Sequence, residues 1–103
     1  MYKLEYLPIA MYDMVEIAKY ISQDLCDPQA AENLAYGMIQ AAERLAAFPY
    51  VCPIHRALKP LKYEYRKLLV RNYIMFYWVD EKERKVTIAR VIYSRRDYEN
   101  FLL

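Results

Sequence analysis

Glycine is almost missing from this chain: Gly37 is the only one in 103 residues. Loops that cradle phosphate need glycines so that the backbone can come close. Their absence excludes GxGxxG and Walker-type loops, and with them nucleotide-dependent kinase, GTPase or dehydrogenase chemistry. Histidine and cysteine are nearly as scarce. His55, Cys26 and Cys52 are too few for an ordinary His/Cys metal site, and no CxxC pair is present. Two cysteines do not build a disulfide framework, so a reducing cytoplasm is expected, with no metal and no cofactor. There is no GxSxG elbow, no HExxH and no EF-hand loop. Long apolar runs are also lacking. A run such as Ile74–Val79 is far below the roughly 20 residues that span a bilayer, which excludes a transmembrane chain. The opening MYKLEYLPIAMYDM has early acids and no extended apolar core, so no secretory signal is expected.

What is present is apolar and aromatic. Hydrophobic residues make up 57% and charged residues 27%, which excludes a disordered chain. The length suits a single domain, residues 1–103. The net charge of +2 hides a split: residues 1–54 hold three bases and seven acids, residues 55–103 twelve bases and six acids. The basic half opens with Arg56, Lys59, Lys62, Arg66, Lys67 and Arg71 and closes with Arg90, Arg95 and Arg96. Such asymmetry suits an anionic partner, nucleic acid or an acidic protein segment. The alternative is a solvated sheet edge whose lysines discourage pairing.

Periodicity sets the elements. Tyr2–Tyr6 alternates and reads as a strand. Pro8 suits the first turn of a helix over roughly 8–24. Met14, Ile17, Ala18, Ile21 and Leu25 form its stripe, leaving Asp13 and Glu16 on the solvated side. Asp27 is an N-cap and Pro28 the first residue of a second helix, which runs to about Phe48 with Phe48 ending its apolar stripe. The short link makes an antiparallel helical hairpin. Residues 49–61 read as a Pro-rich loop, in which Cys52 and His55 are a loosely placed thiol and a surface imidazole. Three strands follow, Tyr63–Val70, Tyr73–Val79 and Lys85–Tyr93. The tail forms a short helix with Tyr98, Phe101 and Leu102 on the sheet. The expected fold is α+β: an N-terminal strand, a two-helix hairpin on a small antiparallel sheet, and a short C-terminal helix.

Function is harder to read from residues alone. Cleaving RNA without a metal needs proton transfer at the 2′-hydroxyl and leaving oxygen, and cations on the charged transition state. The basic half supplies arginines, lysines and tyrosines. With 12 tyrosines in the chain, however, any basic patch has one nearby. Tyr73, Tyr77 and Trp78 fit either core packing or a face covered by a partner.

Four motifs in order carry a resemblance across essentially the whole chain: Pro8-Ile9-Ala10 after the first strand; RLAAFP at Arg44–Pro49; NYIMFYWVD at Asn72–Asp80; and RVIYSRRD at Arg90–Asp97. Together they resemble the RelE/ParE toxin superfamily, nearest its ParE-like, plasmid-stabilisation branch. The resemblance implies the toxin of a bacterial type II toxin–antitoxin module. A cognate antitoxin would neutralise it by wrapping it with its tail, and would reach operator DNA on the pair's behalf. ParE-like members inhibit DNA gyrase, whereas RelE-like members cleave mRNA on the ribosome. RelE-like nucleases carry an arginine where the third sheet strand begins, and Tyr73 stands there in this chain, which favours the ParE-like branch. On the nuclease alternative, Arg66, Arg95 and Tyr93 match catalytic positions, with Arg71 or Arg90 supplying the missing charge. The expected partner- or nucleic-acid-binding set is Lys62, Arg66, Lys67, Arg71, Tyr73, Arg90, Arg95 and Arg96.

Overall fold

The computed structural model describes all residues, 1–103. Strand β1 (Lys3–Tyr6) leads into helix α1 (Pro8–Lys19), which opens on Pro8 and ends in a π turn over Tyr20–Asp24. Helix α2 (Pro28–Leu45) follows. Strands β2 (Arg66–Val70), β3 (Tyr73–Asp80) and β4 (Lys85–Tyr93) complete the sheet, and a 3-10 helix spans Tyr98–Phe101. The expected order of elements and the α+β class hold. The sheet order is β1-β4-β3-β2. One expectation is corrected: β1 pairs with β4 in parallel, Leu4 beside Val86 and Tyr6 beside Ile88, so the sheet is mixed. The reason is topological. The hairpins β2–β3 and β3–β4 are antiparallel, but β1 returns through the helical pair and enters at the free side of β4.

The sheet is covered on both faces. Helices α1 and α2 bring Ala10, Leu34, Met38, Ala42 and Leu45 against Met75, Tyr77, Val86, Ile88 and Val91. On the other face Phe76, Ile74, Ala89 and Ile92 pack under Tyr65 and Leu102, with Tyr98 and Phe101 beside them. Burying each large apolar side chain contributes roughly 1.5–3 kcal/mol. A β-bulge in β4 makes this two-sided packing possible. Phe76 pairs with Arg90 and Tyr77 with Ile88, so Ala89 is the extra residue. It resets the alternation, and Ile88 and Val91 reach the same core although three residues apart.

Helix ends differ from the periodic reading for local reasons. In the π turn the Leu25 N–H donates to the Tyr20 carbonyl at 3.1 Å, a five-residue step. This wider turn swings Leu25 off the stripe, and it is exposed. Helix α2 stops three residues before Phe48, because Pro49 disfavours helical backbone in the residue before it. Phe48 is therefore exposed instead of ending the stripe. Strand β2 starts at Arg66 instead of Tyr63. Tyr63 lies outside the strands and stacks on Trp78, with centroids 3.7 Å apart. The shortage of glycine shows in the turns, where Cys26, Arg71 and Arg84 adopt φ of 54°, 53° and 52° without a glycine.

Candidate functional site

Most sequence-derived candidates fall into two places. The first is the tip where the β2–β3 turn meets the end of β4. Tyr73 pairs with Tyr93 across the strands, their rings edge to face at 5.6 Å. The Ser94 N–H donates to the Asn72 carbonyl at 2.8 Å, which holds the segment after β4 beside the Arg71-Asn72 turn. Arg71, Arg95 and Arg96 are exposed here, and none forms an ion pair. The Arg96 guanidinium lies over the Phe101 ring at 4.6 Å.

A groove of about 980 Å³ runs from this tip between the sheet and the helices. Ile17, Ile21, Leu25 and Leu34 line the helical wall, and Val91, Ile92, Tyr73 and Tyr93 the sheet wall. Arg71 and Arg96 stand at the sheet side, while Glu16 and Asp27 stand at the helix side. Burial pushes the Tyr73 hydroxyl above its ordinary pKa, with Tyr20 and Tyr93 adding to it. It stays a neutral donor at physiological pH. The groove is apolar enough to take an amphipathic segment and charged at its margins.

The second place is the far end of β2. Arg66 pairs with Tyr77, and its guanidinium donates to the Cys52 carbonyl at 2.7 Å. It also lies over the Tyr50 ring at 5.0 Å. Tyr77 is fully buried, and its hydroxyl donates to the Pro49 carbonyl at 2.8 Å. Burial raises the Tyr77 pKa strongly, with Cys52 adding to the shift. Tyr77 is thus core, and Trp78 is engaged with Tyr63. Near this end Glu81 accepts from the Tyr2 hydroxyl at 2.7 Å and from the Tyr50 hydroxyl. Those bonds, Tyr50 foremost, hold the Glu81 carboxyl below its ordinary range. The same carboxylate pushes Tyr50 up to about 12. Lys62 is exposed in the loop before β2, over the Tyr63 ring at 5.3 Å.

Arg90 lines the groove but is not free. Its Nε donates to Asp13 Oδ2 at 2.8 Å and its Nη2 to Asp13 Oδ1 at 3.0 Å. The same carboxylate accepts the Val91 backbone N–H at 2.9 Å. Strand β1 stops at Tyr6, so α1 runs along the edge of β4 that β1 leaves open, and Asp13 satisfies that edge. This corrects the reading of Asp13 as solvated, and gives Arg90 an internal partner in place of a free one.

A third place was missed by sequence reasoning. His55 is buried, not on the surface, with its side chain 4% exposed. Its Nε2 lies 2.9 Å from Glu99 Oε1, though the two are not aligned as a hydrogen bond, and Nδ1 has no partner. The Phe76 and Tyr98 rings meet the imidazole edge to face at 5.4 and 5.7 Å. Beside it is a cleft lined by Arg56, Lys67, Ser94 and Arg96, with Asp97 and Glu99 among its walls. One His in a Pro-rich loop carries no periodic signal, and Glu99 comes near it only through the tail. No group of three or more His, Cys, Asp or Glu side chains is arranged to hold a metal.

Of the three residues expected of a nuclease, Arg66 lies apart from Tyr93 and Arg95. Arg66 is opposite Tyr77 and Tyr93 opposite Tyr73. Four strand residues separate those positions, about 13 Å along β3. Arg95 lies just after Tyr93, at the tip end of β4.

Comparison with known proteins agrees with the fold. The chain superposes on a chain of the chromosomal ParDE toxin–antitoxin system from P. aeruginosa with a TM-score of 0.72 at 16% identity, covering 90% of this chain and 96% of the other. A chain of the intact E. coli RelBE toxin–antitoxin complex gives 0.56 at 15% identity, covering 93% and 100%. One from the RelBE2 complex of Mycobacterium tuberculosis gives 0.53 at 17%, covering 89% and 96%. The search of curated proteins gives no match. The family model for the ParE toxin of the type II toxin–antitoxin system parDE matches residues 4–98. Nearly the whole length is matched, so this chain belongs to the ParE toxin family, within the RelE/ParE superfamily of type II toxin–antitoxin toxins.

Proposed function

We propose that this toxin inhibits DNA gyrase and is held inactive by a cognate antitoxin whose tail seats in the groove between the helices and the sheet. The observation that carries the reading is the separation of Arg66 from Tyr93 and Arg95. A ribonuclease must bring proton transfer and charge stabilisation to one phosphate, and these groups lie about 13 Å apart along the strand direction. An inhibitor that acts by binding needs no such convergence. It needs an accessible surface, and Arg71, Arg95, Arg96 and Tyr93 supply an exposed one at the tip. The family match, to ParE toxins over residues 4–98, supports the same reading.

The groove supports the antitoxin reading. Its two walls are apolar, and Arg71 and Arg96 at its margin suit acidic residues on an amphipathic tail. A tail seated there also touches the tip, so neutralisation would cover the surface offered to the target. Operator DNA would be reached through the antitoxin.

The test is a DNA supercoiling assay run beside a translation extract, using antitoxin-free protein. Loss of supercoiling with intact mRNA is expected, weakened in Arg95→Ala. Site-specific mRNA cuts that vanish in Arg66→Ala and Arg95→Ala, with supercoiling untouched, would overturn the reading.

A further inference from the structure

We infer that the cleft beside His55 is a phosphate-binding site, which adjoins the antitoxin groove at Arg96. Three observations converge. First, His55 is almost wholly buried yet lacks an aligned hydrogen bond on either ring nitrogen. Buried polar groups are nearly always paired, and an orphan that lines a cavity points to a missing partner. Second, Arg56, Lys67 and Arg96 line the same cleft, and none of the three forms an ion pair. Three unpaired cations around one concavity repel one another unless an anion joins them. Third, the lining holds only two acids, Asp97 and Glu99, against the three cations. Glu99 lies against His55 at 2.9 Å, and Asp97 accepts from the Asn100 amide at 2.9 Å. One positive charge is left in excess, and the Ser94 hydroxyl offers a further donor.

The chemistry selects the ligand. Two guanidinium groups and an ammonium suit the tetrahedral, multiply charged oxygen array of a phosphate, with arginine able to bond two oxygens at once. A carboxylate ligand would leave part of this donor set unused. The cleft, about 650 Å³ and open to solvent, is wide enough for a nucleotide. The phosphate could belong to a free nucleotide or to a nucleic-acid strand, and the chemistry is shared. The site does not depend on the gyrase reading.

His55 is the only histidine, so its ring resonances are unambiguous reporters. The full-length protein is titrated with inorganic phosphate, with adenosine 5′-monophosphate and with a short single-stranded oligonucleotide, each against sodium chloride of equal ionic strength. Saturable movement of the His55 ring signals is expected with phosphate and not with chloride. Loss of one charge-assisted contact weakens binding by about tenfold or more, so the effect should drop by that factor in Arg56→Ala and in Lys67→Ala. Both lie at the cleft rim, which spares the buried imidazole and the fold. Tighter binding of the mononucleotide identifies a free ligand, and tighter binding of the oligonucleotide identifies a strand. Failure of all three probes to move His55 would overturn the inference, as would movement matched by chloride or unchanged in both variants.

Discussion

The Asp13 carboxylate does more for this structure than its place on the helix suggests. It takes two donors from Arg90 and the Val91 N–H, and both charged side chains are mostly buried, at 12% and 17% exposure. Removing either side chain strands the other charge. Asp13→Ala and Arg90→Ala should each cost about 2–3 kcal/mol. Urea denaturation of both single variants and the double variant checks this, and the double should cost less than the sum. Glu81 behaves differently because it is exposed. Its pKa is held down by the Tyr50 and Tyr2 hydroxyls, so its contribution is present above the ordinary carboxylate value of 4.5. That contribution is lost as pH falls through the depressed folded value. Thermal melts of wild type and Glu81→Gln should therefore differ at neutral pH and converge in acid. Neither role is legible in the sequence, where Asp13 simply lies off an apolar stripe and its partner is 77 residues away.

At the scale of elements, what the sequence carried best was local chemistry. Pro8 and Asp27-Pro28 open helices, and both do so here. Asp27 Oδ1 accepts the Ala30 N–H at 3.1 Å. Losing that cap should cost about 1 kcal/mol, so Asp27→Ala is expected to lower the denaturation midpoint with its slope unchanged. Periodicity failed where backbone geometry changed without a marker residue. The π turn after Lys19 has no proline or glycine to announce it, and it moves Leu25 from core to groove wall. The bulge at Ala89 likewise has no glycine, yet it decides that Arg90 meets Asp13 instead of solvent. The parallel entry of β1 could not be read either, because its pairing partner begins 82 residues on, Lys85 beside Lys3.

For the whole molecule, the basic half of the sequence does not form one basic face. Its cations divide among the tip, the far end of β2, the His55 cleft and an internal ion pair. The groove beside the tip is the surface on which antitoxin binding depends in the proposed reading. Leu25 lines it while exposed, so Leu25→Asp should leave stability within about 0.5 kcal/mol. It should weaken antitoxin binding by about tenfold or more. Calorimetric titration with the antitoxin and a thermal melt of the free variant separate the two effects. An unchanged affinity would move the antitoxin elsewhere on the toxin.

Hydropathy spacing, helix-capping residues and four ordered motifs were enough to determine the elements, their order and the family, because each of these signals lies within a few consecutive residues. The tertiary structure alone decided which charges are free. Arg71, Arg95 and Arg96 stay open, Arg90 is taken by Asp13, and Arg66 is drawn to the Cys52 carbonyl. It also decided that His55 is buried at a cationic cleft. Those outcomes depend on a bulge and on a tail folding back onto the sheet. The bulge and the tail bring together residues far apart along the chain, and the cost or gain of burying a charge exists only once they have met.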